Sequence, residues 1–247
     1  MTPENVERYA RHLVLKEIGG PGQQALMAAR IAIIGAGGLG GPAALYLAAA
    51  GIGHITLIDD DRVDLSNLQR QIQFSQADIK AQKADTLAKA MSDINPDLNV
   101  RALNSRLTKD NADDILRGHD VILDGVDNFQ TRFDINAASL ACETPLVSGA
   151  LGRWDGQLAA FSGQRGGPCY RCWVPEIPPD AETCAQVGVV GALAGLIGSA
   201  MALETIKIIT GAGDKIFGSI WIYNGLFGEA RKIRLPRDPN CPHCRSD

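Results

Sequence analysis

The sequence predicts an α/β fold of the Rossmann-like type: a doubly wound sheet, parallel in its N-terminal half and extended by mostly antiparallel strands. Three observations carry this. An Ile-rich run at 30–34 leads into Gly35-Ala-Gly-Gly-Leu-Gly40 and then an Ala-rich segment to Gly51, the strand–turn–helix order in which a G-x-G-x-x-G motif binds phosphate. Apolar strand-like runs then alternate with helix-length segments to about residue 150, the grammar of a parallel sheet. Beyond that point, strand-like runs follow one another without helices of the earlier kind.

Residues 3–17 read as an amphipathic helix with Val6, Tyr9, Ala10, Leu13 and Val14 on one side, broken by Gly19-Gly-Pro-Gly22. The first strand and glycine turn follow, and the next strand, His54-Ile-Thr-Leu-Ile-Asp59, ends in an acid. Residues 59–71 form a polar loop, long for an α/β connection, and long loops at strand C-termini tend to be functional. A helix over 79–94 stops at Asn95-Pro96. A strand at 99–103, a short helix at 109–117, a strand at 120–124, a helix at 131–142 and a strand at 145–149 complete the alternating half. Strands at 157–161, 219–223 and 231–235 form the extension, interrupted by a long helix from about 188 to 210. The expected organisation is one domain over 1–247, with a helical arm (1–29), a nucleotide-binding half (30–150) and a second half (151–247).

Composition narrows the function. A net charge of −4 argues against a broad nucleic-acid surface. Met1-Thr-Pro-Glu-Asn5 lacks the basic and apolar regions of a secretory signal. The uncharged stretch 187–203 is at the short edge of a membrane span, and its glycines, Ser199 and the following Glu204 and Lys207 favour a buried helix. The chain is therefore expected to be cytoplasmic, with no membrane or nucleic-acid partner, and its six cysteines suggest metal binding or catalysis more than disulfides.

Glycines let the backbone of the turn approach a phosphate, and the helix that follows offers free N–H groups. Asp59 stands where an acid takes the ribose hydroxyls of an adenine nucleotide. By themselves these features fit NAD as well as ATP. Asp59-Asp60-Asp61 also reads as a solvated acidic turn, and Arg70 and Lys83 as surface charges; their positions instead let both point at phosphates in one crevice. Asp127-Asn128 ends a strand on the same side, a place for a magnesium-bound carboxylate, unless Asp127 merely caps the next helix. Cys169-Tyr-Arg-Cys172 and Cys241-Pro-His-Cys244 are two C-x-x-C knuckles, enough for a closed tetrahedral zinc site. A redox pair is the alternative, but it requires a C-x-x-C at a helix start, and both knuckles read as Gly/Pro-rich loops. Cys142 reads as core packing.

Together, the glycine turn, the acidic turn, Ser66-Asn67-Leu68-Gln69-Arg70-Gln71, Lys83, Asp127-Asn128 and the paired knuckles resemble the ThiF/MoeB/HesA family of ubiquitin-activating-type adenylyltransferases. The resemblance runs from Arg8-Tyr9-Ala10-Arg11 to Cys244; Ser66–Arg70 is its most specific piece, which NAD enzymes have no reason to contain. The chain departs from the pattern at Gly125-Val126, where the family commonly has Cys-Thr, and at Ala36, where Leu is frequent.

The resemblance implies ATP-dependent adenylation of the C-terminal Gly-Gly carboxylate of a small ubiquitin-like sulfur-carrier protein. It assigns Asp59 to ribose, Gly38, Ser66, Asn67, Leu68, Gln69 and Asn128 to the nucleotide site, Arg70 and Lys83 to phosphates, Asp127 to Mg2+, and the four knuckle cysteines to Zn2+ in a carrier-binding second half. Arg11 resembles an arginine contributed from the other subunit, which implies a homodimer. The Pro-rich segment 173–187 resembles a crossover loop over the carrier's tail; its Cys184 is a candidate for a covalent link in the thiamine branch. Leu146-Val-Ser-Gly-Ala150 is closer to the molybdopterin branch. With three residues after Cys244, the sequence has no rhodanese-like segment, so sulfur is expected from a separate sulfurtransferase or desulfurase. The competing readings are an NAD-dependent oxidoreductase, for which none of the four His supplies a hydride-transfer site, and a non-enzymatic scaffold, against which Arg70, Lys83 and Asp127 argue.

Overall fold

The computed structural model describes residues 1–179 and 188–245; Cys184 and most of the expected crossover loop lie outside them. Strands β1 (Arg30–Ile34), β2 (His54–Ile58), β3 (Asn99–Leu103), β4 (Val121–Asp124), β5 (Leu146–Gly152), β6 (Asp155–Phe161), β7 (Ser219–Asn224) and β8 (Glu229–Arg234) form one sheet. Its order is β3-β2-β1-β4-β5-β6-β7-β8. The five strands β3 to β5 pair in parallel, and β6, β7 and β8 join antiparallel. This is the mixed sheet expected, with the strand order reversing at β1 and β4, the switch point where such sheets bind ligands.

Alternation along the strands sorts side chains onto two faces. Ile31 and Ile33 of β1, with Ile55, Leu57, Val121 and Leu123, pack under helices α4 (Gly40–Ala50), α5 (Lys83–Ile94) and α9 (Gly191–Thr210). Ala32 and Ile34, with Ile58 and Ile122, pack under α6 (Lys109–Leu116) and α7 (Phe129–Ala141). Helix α9 is long and apolar enough to span a bilayer, yet Leu193, Ile197 and Met201 are buried in the first core. Its buried Glu204 pairs with Lys207 at 2.6 Å and accepts the Ile216 N–H at 2.8 Å.

The N-terminal arm departs from expectation. The single helix over 3–17 is two short ones, α1 (Pro3–Arg8) and α2 (Ala10–Leu13), broken at Tyr9. Tyr9 is buried as expected, but Val6 and Val14 are exposed and Asn5 is buried. Polar contacts chose the face: Asn5 Nδ2 donates to Asp97 Oδ2 at 3.0 Å, and Tyr9 Oη accepts from Asn95 Nδ2 at 3.1 Å. The Gly19–Gly22 segment, expected to break a helix, instead begins α3 (Gly19–Ala28). Pro21 falls in its first turn, where the missing N–H has no intrahelical partner to lose.

Candidate functional site

The C-terminal ends of β1, β2, β4 and β5 open into a cleft of about 400 Å³. Its floor is the turn after β1. Gly35 has φ of +91°, and a Cβ there would meet the Gly125 carbonyl oxygen at 2.9 Å, so the turns after β1 and β4 abut only because both carry glycine. Asp59 closes one side: Oδ2 accepts the Ala36 N–H at 2.7 Å and Oδ1 the Asp61 N–H at 2.8 Å. Burial pushes the Asp59 carboxyl above its ordinary pKa, against the pull of those two N–H donors and of Lys83.

The polar loop supplies a second wall. Asp64 caps the 3-10 turn Leu65–Asn67, and Asn67 Oδ1 accepts the Asp64 N–H at 3.2 Å. Arg70 Nη1 donates back to the Ser66 carbonyl at 3.1 Å, which holds the guanidinium along the turn. Gln73 Nε2 reaches across to the carbonyls of Ala36 and Gly37, at 2.8 and 3.0 Å, and ties the loop to the glycine turn. Lys83 begins α5 with its side chain only 7% exposed, and Nζ contacts Asp61 Oδ2 at 2.8 Å.

Of the sequence-predicted residues, Gly38, Asp59, Arg70, Lys83, Asp127 and Asn128 line this one cleft. Ser66, Asn67, Leu68 and Gln69 do not; Ser66 and Asn67 build the turn that presents Arg70, and Leu68 packs against the core. Arg11 is exposed on α2 and is no part of its own chain's cleft. Asp127 is exposed, and Asn128 rather than Asp127 caps α7, accepting the Thr131 N–H at 2.9 Å. The capping alternative for Asp127 is thus corrected, and its carboxylate faces the cleft mouth uncommitted to α7.

Sequence reading missed the layer beneath. Arg132 on α7 is buried, and Nη1 donates to Asp124 Oδ2 and Ser148 Oγ, both at 3.0 Å. Its Nη2 donates to the carbonyls of Val126 and Gly149 at 2.5 and 2.7 Å, which fixes the loop before Asp127. Complete burial pushes Asp124 above its ordinary pKa despite the Arg132 charge. Helix α8 (Tyr170–Trp173) adds an aromatic wall: Tyr170 and Trp173 line the cleft with ring centroids 5.9 Å apart. The signal available for Arg132 was a charged residue inside an otherwise half-apolar helix, and that pattern does not say which carbonyls it ties together.

The four knuckle cysteines converge beyond α8. Sγ atoms of Cys169 and Cys241 are 3.8 Å apart, those of Cys172 and Cys244 are 3.4 Å apart, and all four lie within 4.8 Å of one another. Zn–S bonds of about 2.3 Å in a tetrahedron require S–S edges of about 3.8 Å. The donor set and its spacing are compatible with zinc. The first knuckle, expected in a loop, instead has Cys169 capping α8 at its start; the meeting of both knuckles as a set of four is the feature that a lone redox pair does not require. Without a cation, burial and the neighbouring thiols push Cys169 up, and burial leads the rise of Cys244 to about 11. Cys142 is half-buried at the end of α7, not a core residue.

Known proteins resemble the chain over nearly its whole length. The sulfur carrier protein adenylyltransferase of Thermus thermophilus is 40% identical over 250 residues, covering 98% of this chain and 92% of that protein. The probable adenylyltransferase/sulfurtransferase MoeZ of Mycobacterium tuberculosis is 41% identical over 247 residues; the match covers 98% of this chain but 63% of MoeZ. The crystal structure of E. coli MccB with MccA-N7isoASN superposes with a TM-score of 0.85 over 100% of this chain and 76% of that one, at 18% identity, a likeness of fold. Residues 9–243 match the ThiF family. The chain belongs to the ThiF family.

Proposed function

We propose that this protein is an ATP-dependent adenylyltransferase that activates the C-terminal glycine carboxylate of a small ubiquitin-like sulfur carrier. The carrying observation is the meeting of Arg70, Lys83, Asp59 and Asp127 around the glycine turn in one cleft, together with the adenylyltransferase relatives that match nearly the whole chain. Carboxylate and triphosphate are both anionic, so the site must neutralise charge and hold the attack in line. Arg70 and Lys83 supply the positive charge from two elements, and Asp59 accepts the ribose hydroxyls. The carboxylate attacks the α-phosphate; acyl-adenylate and pyrophosphate result. Mg2+, which takes few protein carboxylates alongside phosphates, would be held by Asp127 and would offset charge on the triphosphate.

Cys169, Cys172, Cys241 and Cys244 would hold Zn2+ as a closed structural site that pins the C-terminal segment to α8. The whole of 1–247 acts as one domain: a single core joins β1–β5 with α9, so the nucleotide half and the carrier half share a floor. We assign Arg11 to the partner subunit's cleft in a homodimer. The support is an apolar surface at the neighbouring His12, which lines a shallow groove with Tyr46, Ala49, Leu203 and Ile206; Tyr46 and Leu203 are 59 and 61% exposed. The molybdopterin carrier is favoured over the thiamine carrier by Leu146-Val-Ser-Gly-Ala150, and the proposed site of action is the cytoplasm. Arg70→Ala should cut carrier-dependent ATP–pyrophosphate exchange by about two orders of magnitude or more with the fold intact. Normal exchange by that variant would remove Arg70 from the mechanism.

A further inference from the structure

Gln71 stands beside Arg70 and lines the cleft, yet it is only 4% exposed. Its carboxamide packs against the glycine turn, where a Cβ on Gly37 would lie 3.5 Å from Nε2. Its Oε1 is buried and has no hydrogen-bond partner among the described residues. Gln73 carries an unmatched oxygen too, but its Nε2 is committed to the glycine turn and it does not reach the cleft wall. A buried acceptor left unmatched is costly, and such exceptions call for a reason. At the wall of a cleft, the reason is an incoming donor.

Position and chemistry together select that donor: the adenine amino group also donates, but Gln71 stands against Gly37 and next to Arg70, at the end of the cleft assigned to the phosphates. A triphosphate presents acceptors alone at neutral pH, so it cannot match a carboxamide oxygen. Ribose hydroxyls donate, but Asp59 offers them an ionised acceptor, which forms the stronger bond. The carrier's tail brings a peptide N–H on its last glycine, on the same residue as the attacking carboxylate. We infer that Gln71 positions the tail: Oε1 accepts the N–H of the carrier's terminal glycine and so fixes the carboxylate against the α-phosphate. The inference rests on the adenylyltransferase reading, and it adds a substrate requirement, a secondary amide at the last linkage of the tail.

The test is a semisynthetic sulfur carrier ending in Gly-Gly, compared with a copy whose last residue is glycolate, so that an ester oxygen replaces the N–H. Both are assayed by ATP–pyrophosphate exchange with wild type, Gln71→Leu and Gln71→Glu, the last retaining an acceptor. The wild type should lose about ten-fold in kcat/KM on the ester. Gln71→Leu should lose about as much on the amide and then treat the two carriers alike, while its affinity for ATP without carrier stays unchanged. Gln71→Glu should again distinguish amide from ester, a rescue that a purely structural role would not produce. Equal use of both carriers by the wild type, or weaker ATP binding by Gln71→Leu without carrier, would overturn the inference alone. No exchange by the wild type with the amide carrier would overturn the adenylyltransferase reading and this inference with it.

Discussion

Lys83 Nζ lies 2.8 Å from Asp61 Oδ2, a pair in which the lysine side chain is 7% exposed and the aspartate 67%. The asymmetry decides what the pair does. Asp61 can turn to water when a stronger anion arrives, whereas Lys83 is held at the first turn of α5 and has no such freedom. On the proposed function, Asp61 would stand in for a phosphate, keeping a buried ammonium compensated until ATP takes its place.

Replacing Lys83 with Met should therefore reduce carrier-dependent exchange by about two orders of magnitude. The thermal midpoint should barely move, because the aspartate left behind is mostly hydrated. Exchange rates and a melting curve on the same preparation check both halves of the statement.

Asp59 gives a pH dependence with a definite sign. Its folded-state pKa is raised by burial, so it takes up a proton at a higher pH than an ordinary aspartate, which titrates near 3.9. ATP affinity should fall on acidification from that higher pH, and Asp59→Asn should bind weakly at every pH with no such inflection. Stability runs the other way. Because the folded state holds the Asp59 proton more tightly than the unfolded state, the contribution of this group is full at low pH and is lost as pH rises through the folded pKa. Nucleotide titrations and unfolding curves across the acid range separate the two effects.

The cysteine cluster predicts one zinc per chain and four thiols that react only after the metal is removed. Chelation should destabilise the protein by about 4 kcal/mol or more, with loss first around α8, whose cap is Cys169. Metal analysis combined with thiol titration checks this; a metal-free protein of equal stability would leave the cluster without its assigned role.

The sequence disclosed the parts of the molecule that depend on short-range pattern. The apolar runs in Arg30–Ile34 and His54–Ile58, the glycine turn and the reversal to antiparallel strands after Gly152 are all local, and the sheet agrees with them. The side chains of the polar loop were legible as a group, but their division of labour was not. Arg70 reaches the cleft because Ser66 and Asn67 shape the turn behind it, a relationship between backbone and side chain that residue identity does not reveal. The arm was misread for the opposite reason: Asn5 is buried through its partner Asp97 while Val6 and Val14 are exposed, which no periodicity within 3–17 encodes. Arg132 escaped notice because its four acceptors come from β4, β5 and the intervening loop.

The most direct measurement is incorporation of labelled pyrophosphate into ATP by the purified protein, with and without a sulfur carrier ending in Gly-Gly. The account predicts exchange that requires the carrier, requires its terminal glycine and disappears in Lys83→Met, with no binding of NAD. Exchange independent of the carrier, or NAD binding without exchange, would contradict it.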